Sequence, residues 1–229
     1  MADLDLIIQQ QNGGTTADGS SGKAQGLRDG SLITADPASL YQKWLRAGKV
    51  FEAHFATETG TATIEANAAY DLTEPFFRLC VPSSKLFVPI QVKITPTTVW
   101  VTTDGITLMA SADAADVVVN AGGAAPDVRN LAVVNANESS LGDTAMTSIK
   151  DGDSVITEDA LTSVRIIDNI VYRTGGLFEP YEYNILKGDP MAIIHGPGRF
   201  LVQAMLAGAL ECQYTIKWAE LDKSELVNS

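Results

Sequence analysis

From Leu210 to Glu220 apolar and polar positions alternate. Leu210, Cys212, Tyr214, Ile216 and Trp218 fall on one side, Glu211, Gln213, Thr215 and Lys217 on the other. Side chains leave a β-strand on alternate faces, so this pattern predicts a strand with one buried and one wet face. A second segment repeats it, with Leu86, Val88, Ile90, Val92 and Ile94 opposed to Lys85, Phe87, Gln91 and Lys93. Runs rich in Val, Ile, Thr and aromatic residues add predicted strands over 50–58, 61–66, 75–81, 84–95, 98–103, 106–110, 164–173, 191–195, 199–205 and 210–221. Asp104-Gly105, between two of these runs, reads as a type I′ hairpin turn, because both central residues of that turn need positive φ. Turns are also predicted at Gly175-Gly176 and at Gly196-Pro197-Gly198. One short helix precedes the strands. Asp36 caps it, Pro37 takes its first position, Gly48 lies just past its end, and Leu40, Trp44 and Leu45 form its apolar stripe. Eight to ten strands with no alternating helices predict an all-β fold, an antiparallel β-sandwich.

Two tracts depart from this pattern. Residues 1–30 hold the stretch Gln10-Gln-Asn-Gly-Gly-Thr-Thr-Ala-Asp-Gly-Ser-Ser-Gly-Lys-Ala-Gln-Gly-Leu-Arg-Asp-Gly30, too poor in large apolar groups to offset the entropy of ordering, and read as a flexible N-terminal arm. Residues 31–229 then form a single sandwich domain. Within it, 111–163 is a tract of Ala, Asp, Gly, Asn and Ser predicted to be long loops with short strands, the weak runs being 117–119, 131–134 and 154–157. No internal repeat is visible. A length of 229 residues suits one sandwich, and no stretch offers the ~18 consecutive apolar residues of a membrane span. The opening Met1-Ala-Asp-Leu-Asp puts acids where a secretory signal carries basic residues, so export is not expected.

The net charge of −12 and the lack of a basic cluster argue against direct nucleic-acid binding. Charged residues make up only 19%, below the ~25% usual for soluble domains, which fits a surface widely covered by other subunits. Cys80 and Cys212 each sit in a predicted strand and read as buried free thiols.

Candidate chemistry is sparse. Gly19-Ser-Ser-Gly22-Lys23 resembles a phosphate loop, but Ala17 and Ala24 replace its glycine and its hydroxyl residue, leaving a linker reading. Asp151-Gly-Asp153 with Glu158 and Asp159 reads as a solvated acidic loop, since Val155 occupies a ligand position of a calcium loop; calcium bridging two subunits is the alternative. Glu52-Ala-His54 places two metal-binding side chains on one strand face, and His195 could supply a third, the two-histidine, one-carboxylate set of non-haem iron sites. The order runs opposite to the usual His-x-Asp/Glu. Phe51, Ala53 and Phe55 claim the core-facing side, so Glu52 and His54 are expected to face solvent or a neighbouring subunit. No Gly-x-Ser-x-Gly elbow occurs and neither cysteine adjoins a histidine. Trp218, on the alternating apolar face, reads as core. The expectation is a non-enzymatic protein with no catalytic residue, cofactor or resident metal.

The run Leu27-Arg-Asp-Gly-Ser-Leu-Ile33, Asp36, Tyr41 and Gly48-Lys-Val-Phe-Glu-Ala53, with His195-Gly-Pro-Gly198 and Trp218-Ala-Glu220, resembles jelly-roll structural proteins of tailless icosahedral phages and related viruses. The resemblance implies an eight-stranded jelly roll in a capsid shell. It further implies a homotrimer or larger capsomer in contact with other capsid proteins, with the N-terminal arm reaching to neighbours. Location in the virion after assembly in the host cytoplasm follows. Genome contact would run through another component. Two rival readings use the same sandwich: a trimeric, lectin-like receptor-binding or decorating module of the virion, and a cupin-type or non-haem iron enzyme holding metal through His54.

Overall fold

The computed structural model describes residues 37–55, 62–64, 75–97, 104–113, 116, 122–132, 143–151, 156, 162–171, 180–205 and 210–224. Helix α1 (Pro37–Arg46) opens on its predicted proline and buries Trp44. Gly48 ends it at φ +69°, donating to the Leu45 carbonyl at 3.0 Å, while the Lys49 amide reaches the Trp44 carbonyl at 2.9 Å. That paired return of amides to the last-turn carbonyls needs a left-handed residue, which glycine adopts without strain. The strands follow as β1 (Val50–Phe55), β2 (Ala62–Ile64), β3 (Phe77–Val81), β4 (Lys85–Pro96), β5 (Gly105–Ala112), β6 (Asp127–Asn130), β7 (Thr147–Asp151), β8 (Thr162–Val171), β9 (Tyr181–Asn184), the 3-10 turn η1 (Ile185–Lys187), β10 (Ile194–His195), β11 (Gly198–Met205) and β12 (Leu210–Asp222).

These strands make two antiparallel sheets. Sheet one runs β10-β4-β12-β1-β6, with β2 also on β12 and β9 also on β4; sheet two runs β7-β3-β11-β5-β8. Taking β1, β3, β4, β5, β8, β10, β11 and β12 in chain order, the first pairs with the last, the second with the seventh, the third with the sixth and the fourth with the fifth. Successive pairs alternate between the sheets. This is a long hairpin rolled around a core, a jelly roll, in the two-sheet sandwich that the strand pattern predicts. β9 and β10 meet successive stretches of β4, at 91–94 and 86–87, so they are one strand interrupted by η1.

The inner faces carry Phe51, Tyr214, Ile216 and Trp218 from sheet one and Phe77, Leu79, Phe200 and Val202 from sheet two, all nearly or fully buried. Phe87 corrects the sequence reading, which puts it on the wet face with Lys93. Its ring lies 4.9 Å from Phe200 and 6.1 Å from Trp218, fully buried. The cause is a bulge: Lys217 faces Gln91 but Trp218 faces Pro89, leaving Ile90 as the extra residue. An added residue inverts the facing of everything beyond it. Alternation holds for Ile94 and Val92, then reverses. The outward row Val50, Ala219 and Val88 is buried as well, with α1 packed on β1 and on η1, and η1 on β4.

Other boundaries shift for comparable reasons. Gly105 is no turn residue: it pairs with Met205 on one side and Val171 on the other, as a central-strand position. The predicted strand over 98–103 lies outside the described residues. Within 111–163 the described strands are β6 and β7, edge strands held by backbone pairing to β1 and β3, while the weak run 117–119, half of 131–134 and most of 154–157 lie outside the described residues. The predicted arm, residues 1–30, and Asp36 also lie outside the described residues.

Candidate functional site

The three candidate metal ligands are not brought together. Glu52 and His54 do share the outward face of β1, as expected, but Glu52 pairs with the Lys217 ammonium at 3.3 Å. His54 stands between Thr215 on β12 and Asp127 on β6. The Asp127 carboxylate is engaged by Arg129, whose Nε donates at 2.7 Å. His195 lies on β10, three strands away, exposed, in the row of Leu86 and Leu221. Strand spacing puts it roughly 14 Å across and about 20 Å along the sheet from His54. Among the described residues no three His, Cys, Asp or Glu side chains converge as a metal cage.

What the outward face of sheet one carries is a ladder of charge. One row reads Arg129, Glu52, Lys217, Gln91 and Asn184 across five strands; the next reads Asp127, His54, Thr215, Lys93 and Glu182. Opposite charges sit side by side in a sheet-wide ladder, a favourable cross-strand arrangement on a largely half-buried face. At its β9 end Glu182 accepts from Lys187 at 2.6 Å, from Asn184 at 3.1 Å and from Gln91 at 2.9 Å. Chiefly through Lys187, these bonds hold its carboxyl down at about 2. The hydrogen bond from Lys85 likewise lowers the Asp222 carboxyl.

Aromatic rings meet throughout the described core. Phe51, Trp218, Phe87 and Phe200 pack ring on ring across the two sheets, and Phe76 and Phe77 meet Tyr214 edge-on. Polar groups that enter it are structural. Glu220, almost fully buried, accepts from Trp218 Nε1 at 2.9 Å, from the Thr144 hydroxyl and from the Ala145 amide at 2.7 Å, pinning 144–146 over one end of the sandwich. Asp151 is a correction: rather than a solvated loop acid it is 3% exposed, accepts the Tyr214 phenol at 2.5 Å and exchanges backbone hydrogen bonds with Ala124. Asp153, Glu158 and Asp159 lie outside the described residues, as do the phosphate-loop-like residues 19–23.

A further polar device escapes sequence reasoning. On the outward face of sheet two Arg199 meets Asp113 through two parallel contacts of 3.0 Å, with both side chains at least 90% buried. The one hint is a charged residue inside the apolar strand 199–205. Cys80 and Cys212 are both buried free thiols, as expected, and burial pushes the Cys212 thiol up to about 12.

No protein-family model and no curated protein matches the chain. Among solved structures it is similar to the VP2 subviral particle of infectious bursal disease virus, at 14% identity and a TM-score of 0.14, covering 78% of this chain and 40% of that one. The match thus spans well under half of that protein's length, and an overlap of this size carries no argument about function.

Proposed function

We propose that this chain is a viral structural protein, a capsid subunit that associates through its sandwich into capsomers of a closed shell. The observation that carries this reading is the rolled-hairpin topology closed around a solid aromatic core. The jelly roll serves capsid proteins, lectins and cupins alike. A cupin-type enzyme needs ligands converging inside the barrel, whereas Glu52 and His54 lie on the outward face of β1 and His195 lies three strands away on β10. A charged fraction of 19% also suits a subunit whose surface is largely covered by copies of itself. Assembly then works through contacts that are individually weak and multiplied by symmetry.

Electron microscopy and light scattering of the purified protein over rising concentration test the reading. Capsomers or closed shells are expected. A stable trimer that never grows and binds glycans would instead support the receptor-binding or decorating module. Stoichiometric metal in the purified protein, lost in His54→Ala, would support the enzyme.

A further inference from the structure

Among the described residues the exposed large hydrophobic side chains are Ile166 (63% exposed), Ile170 (37%), Leu186 (41%) and Ile193 (43%). Ile166 and Ile170 belong to β8, the edge of sheet two; Leu186 and Ile193 belong to the β9–η1–β10 segment at the edge of sheet one. The two edges adjoin, since the Tyr181 phenol of β9 donates to Asp168 of β8 at 2.6 Å. All four lie on the elements of these adjoining edges, Ile166 in the outward row of Met109 and Leu201, Ile170 in the core-side row of Ile106 and Ala204. The opposite side is managed differently: β6 carries the Asp127 and Arg129 pair, and an isolated bridge from Ala124 covers β7. Charge on an edge and a covering segment are the usual protections against edge pairing. β8 is ten residues long, carries Arg165, Asp168 and two register shifts but neither proline nor lysine, and among the described residues pairs with β5 alone.

We infer that the side formed by β8 and β9–η1–β10 is an isologous contact surface for a second copy of this chain. This rests on the self-assembly reading and names the surface that serves it. Geometry selects the occupant. Two strand edges about 10 Å apart, the spacing of stacked sheets, are matched by another sandwich side of the same spacing. Size agrees too: β8 is about 33 Å long and two layers with their side chains about 20 Å deep, so roughly 650 Å² per partner is available, near the ~800 Å² of a standard interface. Charge agrees as well. A copy carrying −12 repels its twin, but here Arg165 and Lys187 stand among Glu182, Asp168 and Asp189, whose carboxylates are already bonded to Lys187, Tyr181 and the Asn184 amide. The side is close to neutral, the approach of least repulsion.

Sedimentation velocity of the full chain, wild type against Ile166→Lys, Leu186→Lys and the control Thr147→Lys on exposed β7, tests the inference. The first two are expected to weaken association at least tenfold while the control leaves it unchanged. Amide exchange on the wild type gives a second measurement that needs no variant: exchange over 162–171 should slow with concentration while that over 147–151 does not. Association that persists equally in all variants, with β8 exchange independent of concentration, would overturn this surface and leave self-assembly standing. A wild-type chain monomeric at every concentration would sink both.

Discussion

Single residues show how far local pattern reaches and where it stops. Trp218 faces the core because its strand alternates, and that much is visible in sequence. Phe87 looks solvent-facing by the same rule and is wholly buried, because a bulge opposite Trp218 inverts the count. The pair Arg199 and Asp113 is separated by 86 residues, so no spacing rule joins them. Removing the carboxylate of such a pair strips a buried guanidinium of its counter-charge, a change that typically costs about 3–5 kcal/mol. Asp113→Ala should therefore lower the urea midpoint strongly while Asp127→Ala, in an exposed pair, moves it little; equal effects would refute a special role for the buried pair.

At the scale of elements, strong strands follow the apolar pattern and weak ones follow their partners. β4, β11 and β12 lie within a residue or two of their predicted bounds, because a strand buried on an inner face must carry the alternation. β9 escapes notice: only Tyr181 and Tyr183 mark it, and its pairing with β4 holds it in place. The excursion after it is tied down locally, by the Tyr183 phenol on the Pro190 carbonyl and by Glu182 on Lys187 and Asn184. Glu182 has its carboxyl lowered from 4.5 to about 2, so the folded state binds that proton less readily than the unfolded chain. Its stabilisation is complete above pH ~4.5 and is lost as pH falls toward ~2. Acid unfolding curves of Glu182→Gln should lack that part of the pH dependence, and curves identical to wild type would contradict it. Tyr183 works in the other direction. Burial pushes its phenol up to about 12, so its contribution is whole below pH ~10 and lost as pH rises through ~12, readable as a late phenolate absorbance.

Across the whole molecule, the hairpin closes on itself around an aromatic core, the architecture on which the capsid reading stands. Residues 10–30 lack the apolar groups to order alone, and deleting residues 1–30 should leave the circular dichroism and melting of the sandwich intact while impairing particle formation. Normal particles from the truncated chain would remove the arm from assembly. By itself the sequence determined the fold class, the helix with its proline start and glycine end, the longest strands, the burial of both cysteines and the separation of Glu52 and His54 from the core face, since each follows from neighbours a few residues apart. Tertiary structure alone decided the pairing order, the bulge that turns Phe87 inward, the burial of the Asp151 and Asp113 side chains and the distance between His54 and His195. Those depend on residues tens of positions apart meeting across a sheet, and no local period encodes such meetings.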